Sequence, residues 1–157
     1  MADNGSLVAV PCGPSASIAS IDHLLPSISR ATIPLADRAP GFASLLKISG
    51  NAFILSMVET LAEGHVFAEK SGLGSENLHK FIDLMMPGPY VAYSKRMMEG
   101  DYMREEPLFS VDLARKDAGH AINLAAKVGV DMKIAKVVDE HLKAVKETRG
   151  PSGDLPG

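Results

Sequence analysis

The 157-residue sequence has no tryptophan and one cysteine, and aromatic side chains make up only 5% of it. A core with so few aromatics must be built from aliphatic residues and methionine, which is more typical of helices than of sheets. The lone Cys12 has no partner for an internal disulfide, which fits a reducing compartment. The first twenty residues lack the basic start of a signal peptide, so we expect a cytoplasmic protein. A mitochondrial import signal, if there is one, is not in this chain.

An excess of positive charge is also missing, since the formal net charge is -3 and the pI is about 5.9. This excludes the basic footprint of a nucleic-acid-binding protein. The longest weakly charged stretch, residues 39–58, contains Pro40, Lys47 and Gly50, so it is a poor membrane span. The histidines form no H-x-x-x-H pair and none lies near Cys12 in the sequence. We therefore expect no nucleic-acid partner, no membrane partner and no metal.

Hydrophobic periodicity predicts a strand–helix–strand segment followed by a series of helices. A helix of about 30 residues near the middle of the chain would be about 45 Å long, so we expect either a kink at Gly50 or a helix that bridges two bodies. The glycine- and proline-rich tail from Gly150 is expected to be disordered. The predicted elements are strands over 6–11 and 30–35 around a helix over 15–28, then helices over about 40–70, 76–86, 90–98, 109–128 and 132–148, with a loop over 101–108.

Lys47 is the most informative residue, because it is the only charged side chain between Arg38 and Glu59. A lysine in apolar surroundings is usually paired, extended to the surface or functional. Desolvation disfavours the ammonium form, and a lysine that exchanges its proton near neutrality suits general acid–base work on a substrate hydroxyl. Asn51 follows at i+4, so both polar tips point the same way. On spacing alone, a structural role is preferred, with Lys47 extended to the surface and Asn51 a satisfied core amide.

The segment over residues 39–72 resembles the β-hydroxyacid dehydrogenase family, which includes 3-hydroxyisobutyrate dehydrogenase and, more distantly, 6-phosphogluconate dehydrogenase. The likeness consists of a glycine-rich entry, a lysine, an asparagine four residues later and a long helix. It implies that Lys47 is the catalytic general acid/base and that Asn51 binds the substrate. Many family members have an asparagine at the third position after the lysine, where this chain has Gly50. The resemblance therefore implies one polar contact fewer here.

A second match covers residues 109–121, where the family has a phenylalanine followed after six residues by Lys-Asp. It implies that Phe109 contacts the substrate and that Lys116 reaches the cofactor. The residues alone favour a simpler interpretation, in which Phe109 is a core residue and Asp112 pairs with Lys116 on a solvated face, worth about 0.2–0.5 kcal/mol. The predicted apolar face of this helix consists of Val111, Ala114, Ala118, Ala121, Ile122 and Ala125.

The family's nucleotide-binding fingerprint, G-x-G-x-x-G after a first strand, does not occur in this sequence, where Gly13 stands alone before Pro14. We therefore interpret residues 1–38 as the remnant of an NAD(P)-binding Rossmann domain and residues 39–149 as a helical dimerisation and substrate domain. Residues 150–157 are the disordered tail. The cofactor, NAD or NADP, then needs the missing N-terminal domain, and we expect the isolated chain to be inactive.

The predicted fold is mainly α, a 6-phosphogluconate dehydrogenase C-terminal-like helical domain preceded by a short strand–helix–strand remnant of a Rossmann domain. The resemblance implies a homodimer. Because two short strands make a marginal sheet, we expect them to pair with a second copy or to be disordered. The functional hypothesis is part of an NAD(P)-dependent oxidoreductase acting on a small β-hydroxyacid or its semialdehyde. The alternative is a non-catalytic oligomerisation or scaffold domain.

Overall fold

The computed structural model describes residues 2–104 and 106–157, and helices dominate these parts of the chain. The chain divides into two compact units, Met1–Lys47 and Ile48–Gly157. The predicted mainly α fold is confirmed. The elements in chain order are β1 (Leu7–Ala9), β2 (Cys12–Gly13), α1 (Ser15–Ile21), β3 (Ser29–Thr32), β4 (Leu35–Ala36), α2 (Gly41–Lys70), α3 (Ser75–Met85), α4 (Pro89–Glu99), α5 (Val111–Ala126) and α6 (Lys133–Arg149), with short 3-10 helices at Ala2–Asn4, Asp22–Ser27 and Asp101–Met103.

The first unit contains the short strands, which pair within the chain. β1 lies parallel to β3 and β2 lies parallel to β4. The expectation that the strands pair with a second copy or are disordered is therefore wrong. The reason is the connection, because parallel strands need a crossover and α1 with the following 3-10 helix supplies it. The predicted helix over 15–28 changes from α to 3-10 after Ile21, and Pro26 lies inside the 3-10 part, where it has no N–H to donate.

The second unit is built around a core of aliphatic side chains from α2 to α6. The predicted apolar face of α5 is confirmed at its four buried positions, which are between 0% and 4% exposed: Val111, Ala114, Ala118 and Ala121. Helix α6 buries Ala135, Val138 and Leu142, whereas Ile134 is 62% exposed. A small side chain such as Ala135 lets helices approach closely. Arg115 of α5 and Asp139 of α6 add an ion pair with a 2.8 Å contact.

Helix α2 runs without a break through Gly50 and contains the boundary between the two units. The 30 residues therefore form one helix, and Gly50 does not interrupt it. α4 begins at Pro89, in the first-turn position that tolerates proline, and it ends at Gly100, whose φ of 71° is a left-handed conformation. The 3-10 helix Asp101–Met103 occupies the start of the predicted loop, and Glu105 of that loop lies outside the described residues.

The tail after Gly150 is packed, so its predicted disorder is wrong. Asp154 and Leu155 are only 3% and 6% exposed. The N–H of Val111 donates to the carbonyl of Gly153 at 2.8 Å. The first N–H groups of a helix have no partner within the helix, so α5 needs outside acceptors at its start. The tail carbonyls provide these acceptors, and the tail is ordered for this reason.

Candidate functional site

A hydrogen bond between α2 and α5 joins Asn51 to Asp117. Nδ2 of Asn51 donates to Oδ2 of Asp117 at 2.5 Å, and Asp117 is only 2% exposed. Because an ionised carboxylate only accepts hydrogen bonds, this contact fixes which way the amide is turned. The amide oxygen of Asn51 is consequently the atom turned away from Asp117, in the orientation of an acceptor for a hydroxyl or ammonium group.

Lys116 joins the same carboxylate from the solvent side. Its Nζ lies 3.5 Å from Oδ1 of Asp117, and the two side chains are 53% and 3% exposed. Consecutive residues of a helix do not face each other, so the long lysine side chain must fold back to make this contact. A buried carboxylate needs such compensation, since its removal from water is costly. We call Asn51, Asp117 and Lys116 the polar network.

The predicted pair between Asp112 and Lys116 is wrong. Asp112 instead forms an ion pair with Lys146 of α6, with a 2.5 Å contact between Oδ1 and Nζ. The i,i+4 spacing only makes such a pair possible, and a partner from another helix competes for the same charge. Lys116 is thereby left to the polar network.

Phe109 lies just before α5 and is held through its backbone. Its N–H donates to Oδ1 of Asp154 at 3.3 Å, and its carbonyl accepts from the N–H of Leu155 at 3.0 Å. The ring is partly buried and packs against the hydrophobic core of the second unit. The described contacts of Phe109 are therefore with the core and the tail rather than with the polar network. Its contact with a substrate stays a prediction.

Lys47 lies in α2, four residues before Asn51, and its side chain is exposed. It belongs to the unit Met1–Lys47, whereas the polar network and Phe109 belong to the unit Ile48–Gly157. The exposed side chain agrees with the interpretation preferred on spacing alone, in which Lys47 extends to the surface. Of its predicted apolar neighbours, Ile48 and Val58 turn toward the core with 9% and 1% exposure, and Lys47 lies outside that stripe. Its role in proton transfer stays a prediction.

Arg96 and Asp154 form a buried ion pair that the sequence did not indicate. Nε of Arg96 donates to Oδ2 of Asp154 at 2.6 Å, and the side chains are 7% and 1% exposed. Nη2 of Arg96 also donates to the carbonyl of Glu106 at 2.7 Å. Because Asp154 binds the N–H of Phe109 as well, the pair fixes the segment that leads into α5. The partners lie far apart in the sequence, so no local pattern could have connected them.

α2 is long and apolar enough to cross a membrane by length and composition, with 28% of its 18-residue apolar window buried. Core helices of water-soluble proteins have the same length and composition, so this helix alone does not indicate a membrane span. Within residues 2–104 and 106–157, no group of three or more His, Cys, Asp and Glu side chains is placed to hold a metal ion.

Comparison with known proteins identifies similar chains. A family model described as NAD-binding of NADP-dependent 3-hydroxyisobutyrate dehydrogenase matches residues 41–155. The NADH-dependent oxidoreductase ucdB of Aspergillus ustus is 34% identical over 145 residues, which cover 92% of this chain and 49% of that protein. This chain spans about half the length of the first curated relatives that it matches.

Solved structures share the fold. The 3-hydroxyisobutyrate dehydrogenase (ygbJ) of Salmonella typhimurium superposes with a TM-score of 0.80 at 17% identity, over 92% of this chain and 50% of that one. Psf3 in complex with NADP+ and 2-OPP superposes with a TM-score of 0.76 at 17% identity, over 99% of this chain and 53% of that one. The likeness therefore includes the strand–helix–strand segment as well as the helices.

Proposed function

Because this chain belongs to the 3-hydroxyisobutyrate dehydrogenase family of NAD(P)-dependent oxidoreductases, we propose that it forms the helical part of an enzyme that acts on a small β-hydroxyacid or its semialdehyde. Family membership confirms the resemblance and the NAD or NADP cofactor that the sequence predicted. The proposal adds the substrate class and the roles of individual residues. It rests most directly on the polar network, where α2 and α5 hold an amide and an ammonium on one buried carboxylate.

In this proposal, Asn51 binds the substrate. Asp117 holds Nδ2 of Asn51 at 2.5 Å, so the amide cannot turn without losing a charge-assisted hydrogen bond. The oriented amide oxygen accepts from the hydroxyl of the β-hydroxyacid. A group held in this way needs no reorientation when the substrate binds, which favours turnover. We propose Phe109 as a further substrate contact on the family resemblance alone, since its described contacts are with the core and the tail.

Lys47 serves as the general acid/base, in the turn of α2 that precedes Asn51. In the oxidation direction, the Lys47 amine takes the proton of the substrate hydroxyl, and in reduction its ammonium returns that proton to the carbonyl oxygen. The exposed position of Lys47 in this chain is consistent with a site that is completed by residues outside it. Closure of such a site would remove water from the lysine and ease loss of its proton.

Among the described residues, Lys116 suits one contact with a dinucleotide cofactor. The glycine-rich loop that would hold the cofactor's pyrophosphate does not occur in this sequence. The nicotinamide, when bound, supplies or accepts a hydride at the carbon that carries the oxygen. Lys116 offers a half-exposed ammonium, anchored by Asp117, that suits phosphate or ribose oxygens at the edge of such a cofactor. The sequence has no G-x-G-x-x-G run, so the pyrophosphate must be held by residues outside this chain. We therefore expect no turnover by the chain alone.

A chimeric enzyme tests the proposal. The part of the Aspergillus ustus oxidoreductase that this chain does not match, joined to this chain, is expected to give an enzyme that reduces small semialdehydes with NADH or NADPH. The two halves separately are the controls, and both are expected to show no turnover. A chimera that folds and binds NADH or NADPH, yet reduces no small semialdehyde and oxidises no β-hydroxyacid, would contradict the proposed substrate class.

We also propose that the chain forms a homodimer through α2. Phe53 and Phe67 are 79% and 71% exposed, and their spacing is close to four helical turns, so both rings lie on one side of the helix. A shallow groove lies beside Phe67 and is lined by Ala62, Glu63 and Lys70. Large aromatic side chains on one exposed face mark an interaction surface.

Sedimentation of the chain and its variants tests the dimer. The wild-type chain is expected to sediment as a dimer, and Phe53→Ser with Phe67→Ser is expected to sediment as a monomer with unchanged helical content. Val128→Ser, at a residue that is 76% exposed beyond the end of α5, is the matched control and should remain dimeric. A monomeric wild-type chain would refute this interface. A stable dimer combined with an inactive chimera would favour the alternative function, a non-catalytic oligomerisation domain.

A further inference from the structure

Two histidines share one serine hydroxyl in the interior of the second unit. Nε2 of His65 on α2 lies 2.9 Å from Oγ of Ser94 on α4, and Nδ1 of His79 on α3 lies 2.8 Å from the same oxygen. Ser94 is 0% exposed and His65 is 8% exposed. The three side chains therefore connect three helices at a buried point. They are separate from the polar network, and the proposed function does not use them.

The hydroxyl of Ser94 has a single hydrogen, so it can donate to only one of the two ring nitrogens. The other ring nitrogen must carry its own hydrogen and donate to Oγ. Two arrangements are possible. Either His65 donates through Nε2 and His79 accepts at Nδ1, or His79 donates through Nδ1 and His65 accepts at Nε2.

The second nitrogen of His65 decides between these arrangements. Nδ1 of His65 is buried and has no hydrogen-bond partner among the described residues. If His65 accepted at Nε2, its neutral ring would carry its hydrogen on Nδ1, and a buried N–H would lack an acceptor. Buried N–H groups without a partner are rarer than buried acceptors without one. The geometry therefore selects the arrangement in which His65 donates, Ser94 passes on its hydrogen and His79 accepts.

A proton added to either ring breaks this arrangement. A protonated His79 has a hydrogen on Nδ1 and can no longer accept from Ser94. The Ser94 hydrogen then loses its acceptor, and it can bond Nε2 of His65 only if the His65 hydrogen moves to the buried Nδ1. A protonated His65 puts both a charge and an unpartnered N–H at that same buried atom. The three side chains fit together only when both rings are neutral.

We infer that His65, Ser94 and His79 form a hydrogen-bond relay that fixes α3 and α4 on α2 while both imidazoles are neutral, and that releases them when an imidazole takes up a proton in acid. The relay is an acid-sensitive joint in the helical domain. It stands apart from the proposed catalytic function and holds whether or not that function is correct.

The surroundings of His65 favour its neutral form over its protonated form. Burial, followed by the neighbouring His79, lowers the pKa of His65, and the carboxylate of Glu69 opposes the shift to a smaller extent. Glu69 is also engaged with the start of α3, since it accepts from the N–H of Ser75 at 2.7 Å. Tyr102 lines the same cavity as His65. From α4, the group facing His65 is the neutral Ser94.

The lowered pKa fixes the sign of the pH effect. When the folded pKa of a histidine lies below that of the unfolded chain, the unfolded chain binds more protons in the acidic range. The contribution of the relay to stability is therefore complete above about pH 6.5 and is lost as the pH falls through the folded pKa of His65.

Imidazole nitrogen NMR of the chain tests the relay. At about pH 7.5 we expect both His65 and His79 to carry their hydrogen on Nε2. Amide hydrogen exchange in α3 and α4, corrected for intrinsic rates, should become about tenfold faster between about pH 7.5 and about pH 5.5, relative to α6.

A non-titrating relay provides the matched variant. His65→Gln with His79→Asn keeps a donor and an acceptor for Ser94 without an ionisable ring, so the exchange in α3 and α4 should lose its pH dependence. His120→Gln, at an exposed position on α5, is expected to keep it. Exchange in wild-type α3 and α4 that does not change with pH would overturn the inference. A hydrogen on Nδ1 of His65 at neutral pH would also overturn it, and that spectrum needs no variant to fold.

Discussion

Replacing Lys47 with alanine in the chimeric enzyme is expected to lower kcat for semialdehyde reduction by about 10²–10⁴-fold, the contribution of a positioned general acid/base. The carbonyl oxygen gains negative charge as the hydride arrives, and without the Lys47 ammonium water must supply the proton. Lys47→Arg should lose nearly as much, because a guanidinium holds its proton too tightly to transfer it. Steady-state kinetics at saturating cofactor measure both effects.

The control for this experiment is Lys70→Ala, at the last residue of α2, which should keep the wild-type rate. If Lys47→Ala keeps most of its activity, Lys47 is not the acid/base. A loss that appears only in KM would assign Lys47 to substrate binding instead. Kinetics must separate proton transfer from substrate binding, because the Lys47 side chain is exposed in this chain and burial gives no argument for either role.

Removing the Asp154 carboxylate should have the largest effect on stability. Asp154→Ala removes the carboxylate that Nε of Arg96 contacts at 2.6 Å, where the Arg96 side chain is only 7% exposed. It also removes the acceptor for the N–H of Phe109. Breaking a buried ion pair from one side costs about 3–5 kcal/mol. Urea unfolding of the chain near neutral pH should show a loss of this size in the free energy of unfolding.

A surface pair on the same helix is the matched control. Lys95 and Glu99 of α4 form an ion pair whose side chains are 63% and 49% exposed. Glu99→Ala should change the free energy of unfolding by less than about 1 kcal/mol, because water and salt screen exposed charges. The double change Arg96→Met with Asp154→Leu should cost less than Asp154→Ala alone, since no buried charge is left behind. Equal losses for Asp154→Ala and Glu99→Ala would show that the tail contributes little to stability.

The helices could be predicted because their signals are local. Glycine and proline mark the ends of α2 and α4, and the apolar face of α5 repeats at helical spacing. The tail could not be predicted, since its glycines and prolines are typical of disorder. Its order depends on Arg96 and on the unpaired N–H groups at the start of α5, and neither is visible in the tail's own sequence.

The sequence pointed to candidate site residues, but it did not show which of them contact each other. The family resemblance pointed to Lys47, Asn51 and Lys116, but the buried carboxylate that joins Asn51 to Lys116 belongs to Asp117, which the sequence presented only as part of a motif. A contact between residues 66 positions apart depends on how α2 and α5 pack. The exposure of Lys47 agrees with the interpretation that spacing alone favoured, and not with the desolvated lysine that general acid–base work would use. Apolar neighbours in the sequence indicate burial only when another element covers that side of the helix.

Transfer of deuterium from the cofactor to the substrate tests most directly the proposal that this chain is part of a β-hydroxyacid oxidoreductase. The chimera would be supplied with NADH or NADPH carrying deuterium at the hydride position of the nicotinamide, together with a small semialdehyde, and the product would be analysed by NMR. We expect one deuterium at the carbinol carbon of the β-hydroxyacid, and much less product when Lys47 is replaced by alanine. A folded, cofactor-binding chimera that gives no deuterated hydroxyacid would contradict the assignment of this chain to a β-hydroxyacid oxidoreductase.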